Sequence, residues 1–160
     1  MTKRLLVAVV ILAAITSVLS AQSKSPIQGV WRITETVGGV GAANDTEVNA
    51  KPQPGYYTFT TNHYSVIRVT GSSPRMPPKD ATKPTVSELT DASRMQVQFG
   101  TYETKGESIT LKLEIARNPA TMNSALPISG TYKLDGKMLT LTLKNTTSGA
   151  ISVVKMTRVE

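Results

Sequence analysis

The side chains able to do chemistry are few in this chain of 160 residues, and their spacing argues against most of it. There is one histidine, His63, and no cysteine. Thiol catalysis and sulfur-ligated zinc are therefore excluded, and a lone imidazole cannot supply a histidine-rich metal cluster. His63 falls in a tight turn near 61–63, where it reads as an exposed turn residue. A Ser-His-acid triad would have to be built there, and no Gly-x-Ser-x-Gly elbow exists. Glu103, Glu107 and Glu114 could form a glycosidase-like carboxylate pair, but strand alternation puts Glu103 and Glu114 on a solvent face and Glu107 beside a turn. Gly38-Gly39-Val40-Gly41 precedes no helix, so it reads as a loop hinge and not as a nucleotide fingerprint. No catalytic residue, metal site or cofactor is expected. Two charges are better placed: Glu35 and Arg68 fall on the apolar faces of their strands. An ionised group in an apolar interior is costly unless paired, so these two are either partners at a hydrated rim or contacts for a polar ligand.

The elements that position these residues are mostly strands, because the chain alternates apolar and polar residues with period two. Over 128–143, Asp135-Gly136 suits a type I′ turn and folds two alternating runs together. Tyr132 is then set opposite Leu139 and Gly130 opposite Leu141, with the threonines on the other face. A turn at Lys105-Gly106 likewise pairs Tyr102 with Ile109 and Gly100 with Leu111. A third turn, with loop residues 61 and 62 or 62 and 63, puts Tyr57, Phe59, Tyr64, Val66 and Arg68 on one face in either case. With strands near 29–37 and 150–159 the count reaches eight. One helix is predicted over 85–96, between the third and fourth strands, where Thr85-x-x-Glu88 is a capping box and Val86, Leu89 and Ala92 recur at helical spacing. The stretch 72–84, with four prolines, is a stiff irregular connection.

Connection lengths then decide the architecture. Tight turns at 61–63, 105–106 and 135–136 alternate with longer links at 38–54, 71–97, 117–127 and 145–149. In an up-and-down antiparallel sheet, that alternation closes one end with hairpins and rings the other with loops. A sheet with one apolar face and few helices buries that face by rolling shut, which also removes its edges. The expected fold is an all-β, eight-stranded antiparallel up-and-down β-barrel. It holds either a packed interior or one small ligand.

The N-terminus reads as a leader. Lys3 and Arg4 precede an apolar run of about 15 residues and then Ser20 and Ala21, which is short of the ~20 residues a spanning helix needs. A signal peptide is read over 1–21, with cleavage after Ser20 or Ala21, a polar linker over 22–26 and the barrel domain over 27–160. The mature chain is expected to be periplasmic or extracellular, with no transmembrane span. It keeps 16 basic and 11 acidic residues, a net charge of +5 against +7 for the whole chain. These positives are scattered, with no basic run and no aromatic ladder, so nucleic acid is not an expected partner. Asn44 and Asn145 lie in Asn-x-Ser/Thr sequences, which matter only in a glycosylating cell.

Residues 27–33, Ile-Gln-Gly-Val-Trp-Arg-Ile, resemble the Gly-x-Trp opening of the lipocalin and wider calycin group. The order that follows looks like the bacterial lipocalin-like families: Pro54-Gly55-Tyr56-Tyr57, Phe99-Gly100-Thr101-Tyr102, Gly130-Thr131-Tyr132 and Met156-Thr157-Arg158. The resemblance implies that Trp31 packs across the closed floor with Arg158 over it, although alternation alone also allows Val153, Lys155 and Val159 to face inward. It further implies a non-catalytic barrel that binds a small hydrophobic or amphipathic molecule. The expected lining is Trp31, Ile33, Tyr57, Phe59, Tyr64, Val66, Tyr102, Leu111, Tyr132 and Leu141, with Glu35 and Arg68 nearer the mouth. A rival expectation is a protein-binding barrel, an inhibitor or envelope assembly factor, whose loops 38–54 and 117–127 grip a partner while the interior is solid. A third, an isomerase-like enzyme using tyrosines and an inward charge, needs a conversion assay. Cavity volume separates the first two, since a ligand binder needs roughly 300 Å³.

Overall fold

The computed structural model describes residues 25–38, 48–71, 73–123, 126–144 and 149–160. The expected leader, the hinge at Gly38-Gly39-Val40-Gly41 beyond its first residue, Asn44, Asn145 and most of the 38–54 loop lie outside the described residues. The strands are β1 (Gly29–Val37), β2 (Val48–Asn49), β3 (Gly55–Phe59), β4 (His63–Val69), β5 (Met95–Lys105), β6 (Ser108–Ala116), β7 (Ile128–Asp135), β8 (Met138–Lys144) and β9 (Ile151–Arg158). They run antiparallel in the order β2-β1-β3-β4-β5-β6-β7-β8-β9, and β1 also pairs with β9. That last ladder, from Trp31↔Arg158 to Val37↔Val153, shuts the sheet into a barrel of eight long strands. β2 is a two-residue addition that pairs with Thr36 and Val37. No helix among the described residues is long and apolar enough to cross a membrane.

One helix was expected between strands three and four; two short helices are found, in other intervals of the observed order. α1 (Val86–Ala92) lies between β4 and β5, and α2 (Pro119–Met122) lies between β6 and β7. α1 carries the full capping box, Thr85 accepting from the Glu88 amide while Glu88 accepts from the Thr85 amide. It ends at Ala92 and not at 96, because Met95, Gln96, Val97 and Gln98 are taken up by the ladder with β4. α2 rests on Asn118, whose side chain accepts from the Ala120 amide ahead of Pro119.

Two hairpin registers differ from expectation by one step of the turn. The loops are Gly106-Glu107 and Gly136-Lys137, so Tyr102 faces Leu111 and Tyr132 faces Leu141. Each glycine takes the first central position with φ of +58° and +55°, while no described non-glycine residue has positive φ. That pattern is a type II′ turn, not the type I′ turn that needs positive φ at both positions. Sliding the loop by one residue changes each partner by two, so every side chain keeps its face.

The inward faces pack into one cluster: Ile27, Trp31, Ile33, Tyr57, Phe59, Tyr64, Val66, Tyr102, Ile109, Leu111, Leu139, Leu141, Leu143, Val154 and Met156, with Ile128, Tyr132 and Leu134 against it. At about 25 cal/mol per Å² of apolar surface, burying each large side chain contributes roughly 1.5–3 kcal/mol, which holds the barrel without disulfides. The three hairpin turns lie at one end of the barrel, and the strand ends at Val37, Gly55, Val69, Met95, Ala116, Ile128, Lys144 and Ile151, which the longer links join, lie at the other.

Candidate functional site

The closed end is built around Trp31. Its indole Nε1 donates to the Ile27 carbonyl at 2.7 Å, entirely buried. The Arg158 guanidinium carbon stands 4.1 Å from the ring centroid. Its Nη1 donates to the Gln28 carbonyl and its Nη2 to the Pro26 carbonyl at 2.9 Å. Arg158 is the cross-strand partner of Trp31, and Val154 and Met156 share its inward face. The three donors therefore clamp the incoming segment 26–28 across the bottom of the barrel, so Pro26 takes part in the floor. Tyr102 adds a hydroxyl bond to the Thr60 carbonyl at 2.8 Å.

Above the floor, the residues named as lining form a packed core. Phe59 meets Tyr102 edge-on at 5.1 Å and stacks near Tyr57 at 6.0 Å. Trp31, Phe59, Tyr64, Val66 and Leu141 have under 2 % of their surface exposed. These side chains fill one another's contact surface and leave a ligand little to touch. Tyr64 is the exception in chemistry: its hydroxyl is buried and has no hydrogen-bond partner among the described residues. Burial first, then Tyr57 and the Glu114 charge, push its phenol well above the usual range. Burial also raises the Tyr57 phenol, against the pull of the nearby Arg68 charge.

Glu35 does not reach the interior. A β-bulge between Ile33 and Glu35 inserts Thr34 as an extra residue, and its hydroxyl bonds the Lys155 carbonyl at 3.1 Å. Beyond the bulge the alternation is inverted, so Glu35 pairs with outward-facing Lys155 and forms a 2.7 Å ion pair with it. Glu35 and Arg68 are therefore neither partners nor neighbours on one face. His63 opens β4 at the closed end and stacks on Phe99, with ring centroids 5.4 Å apart.

Arg68 does face inward, above Val66. Gly55 opposite makes this possible, since a β-carbon there would lie 2.4 Å from the arginine's own and 2.9 Å from Ile33 Cδ1. Arg68 Nε donates to Gln96 Oε1 at 2.6 Å, and Gln96 Nε2 donates to Gln98 Oε1 at 2.9 Å. Register fixes this chain, because Gln96 is the strand partner of Arg68 and Gln98 that of Val66. Both side-chain oxygens are thereby occupied. What remains unbonded among the described residues is donors: the terminal nitrogens of Arg68 and the amide nitrogen of Gln98. No described carboxylate pairs with Arg68. Gln96 and Gln98 also line a cavity of about 190 Å³ at the loop-ringed end, with Thr70, Met95, Val97, Ala116, Arg117, Asn118 and Thr121.

No expected lining residue touches that cavity. A helix expected over 85–96 covers the start of β5 and so hides Gln96 and Gln98. The signal was present, since alternation carried back from Tyr102 and Gly100 puts Gln98 and Gln96 on the inward face. No group of three or more metal-ligating side chains comes together among the described residues.

The chain is similar to a lipocalin-like protein from Bacteroides uniformis ATCC 8492, with 16% identity over 82% of this chain and 96% of that one, at a TM-score of 0.44. It is also similar to an uncharacterized protein from Bacteroides eggerthii DSM 20697, with 11% identity over 82% of this chain and 98% of that one, at a TM-score of 0.44. No family model and no curated protein matches it. The closed barrel stands on this chain's own β1–β9 ladder.

Proposed function

We propose that the chain is an exported, non-catalytic barrel that holds a small amphipathic molecule at its mouth, with an anionic or acceptor-rich head against Arg68. The observation that carries this reading is the polarity of the Arg68–Gln96–Gln98 chain. Each of its oxygens already accepts an internal bond, and its groups with no described bond are donors, one of them a half-buried cation without a described carboxylate partner. Such a cation has lost part of its hydration, and an acceptor group on a ligand would restore those bonds. Periplasmic or extracellular placement rests on the leader residues 1–21. The apolar part of the ligand would lie in the cavity beside Ala116, the strand partner of Gln98. At about 190 Å³ the cavity suits a molecule smaller than the ~300 Å³ typical of ligand pockets.

The second reading, a protein-binding barrel gripping through loops 38–54 and 117–127, is favoured by the solid interior below the mouth. Native mass spectrometry of the protein recovered from its own compartment separates the two. The first reading expects a reproducible small-molecule adduct that Arg68→Met removes. A stoichiometric protein adduct that survives Arg68→Met would support the second and overturn the first.

A further inference from the structure

We infer that Gln96 is the positioning residue that makes the mouth prefer an anion: it aims Arg68 with a neutral oxygen and so leaves the positive charge for a ligand. This role rests on the proposed ligand site at Arg68 and deepens it. Gln96 is the strand partner of Arg68 across β4 and β5, and its Oε1 accepts from Arg68 Nε at 2.6 Å. A guanidinium has no acceptor, so the amide can meet it only oxygen first. The nitrogen of Gln96 is thereby turned toward Gln98 and donates to its Oε1 at 2.9 Å. The orientation of both amides thus follows from the cation at position 68. The bond also falls on Nε, which leaves the two terminal nitrogens, a fork that can hold a carboxylate or sulfonate by two parallel bonds.

The neutrality of this partner is what sets Arg68 apart. Arg94 and Lys155 are each given a carboxylate, Asp91 at 2.8 Å and Glu35 at 2.7 Å, whereas Arg68 is given an amide. Glutamate has the same length as glutamine, and its charged bond would be the stronger one. It would hold Arg68 equally well while cancelling its charge. A glutamine forgoes that strength and keeps the mouth positive. The charge is felt inside the barrel, where Arg68 pulls the Tyr57 phenol back against the rise that burial imposes. Gln96 and Gln98 both line the 190 Å³ cavity, so the preference is set at a wall the ligand meets. A carboxylate at 96 could be accommodated, because the Gln98 amide can turn over and donate to it. Its oxygen would then stand where its nitrogen had been, which also disfavours an anion.

The test is calorimetry of the purified protein with hexanesulfonate, an amphipathic anion whose head does not titrate, alongside denaturant unfolding. Arg68→Met should weaken sulfonate binding about tenfold relative to wild type. Gln96→Glu should weaken it at least as much, about tenfold or more, with its unfolding midpoint unchanged or raised. Gln96→Leu removes the aiming bond but keeps the charge, and should weaken binding only about threefold. A merely structural role predicts the reverse order, since the glutamate preserves the bond and the leucine does not. Binding by Gln96→Glu within about twofold of wild type, while Arg68→Met loses it, overturns the role of Gln96 and leaves the ligand site standing. A loss in Gln96→Leu as large as that in Arg68→Met also overturns it, because aiming and not neutrality is then decisive. No difference between wild type and Arg68→Met overturns the site and the role together.

Discussion

The two ends of the barrel each carry an inward arginine, and the arginines are finished differently. Arg158 at the floor spends its guanidinium on two carbonyls and an indole face, all within the chain. Arg68 at the mouth makes one bond to a glutamine, and its terminal nitrogens have no described partner. A structural cation is recognised by its completed bonds. Arg68 keeps bonds to spare and meets the cavity only through Gln96, which lines it.

Five experiments break or sharpen that contrast. Trp31→Ala removes a wholly buried ring and should cost about 3–5 kcal/mol in denaturant unfolding. Arg158→Met should cost about 2–3 kcal/mol by the same measurement, because it deletes a cation–π contact and leaves the Pro26 and Gln28 carbonyls unsatisfied. Arg68→Met should change stability by less than about 1 kcal/mol while weakening an anionic ligand on the order of tenfold in calorimetry. A loss of stability as large as that of Arg158→Met would place both arginines in the same structural role.

The fourth experiment is an alkaline titration. Tyr64 has its phenol raised in the fold above its unfolded value of roughly 10. The folded state therefore holds that proton more tightly. This contribution is fully present below about pH 10 and is lost as pH rises toward the folded value. Tyr64→Phe should flatten the alkaline limb of the stability curve and cost little at neutral pH, since its hydroxyl has no partner to lose. The smallest effect is expected from Glu35→Gln, at most about 0.5–1 kcal/mol with ligand affinity unchanged, because its ion pair with Lys155 lies on the outer wall.

Much of the fold was legible because strand faces follow a period of two, and slips of the hairpin turns by one residue leave that parity intact. Tyr57, Phe59, Tyr64 and Val66 needed only alternation to be placed inward, and the order of long and short connections was enough to roll the sheet. Bulges broke this reasoning. Thr34 inverts the last part of β1, and nothing in its local sequence marks it, since the insertion is decided by how β1 meets β9 at the far end of the chain. The candidate site was harder to read for a related reason. Aromatic and aliphatic residues on an inward face line a cavity or fill a core with the same pattern, and only packing decides; here Phe59, Tyr102 and Leu141 fill it. Gln96 and Gln98 gave a weaker signal because their roles come from Arg68 and Val66 on the neighbouring strand.

The glycine turns at Gly106 and Gly136 look out into open space, with nothing within 4 Å of where a β-carbon would sit. Both are at the pole opposite the loops. A reporter peptide or fluorophore spliced between Gly136 and Lys137 would therefore report on the barrel from behind, and longer loops there are tolerated at a cost of only about 0.6 kcal/mol per doubling of length. Such a graft gives a handle for immobilising the protein with its opening turned toward the bulk solution.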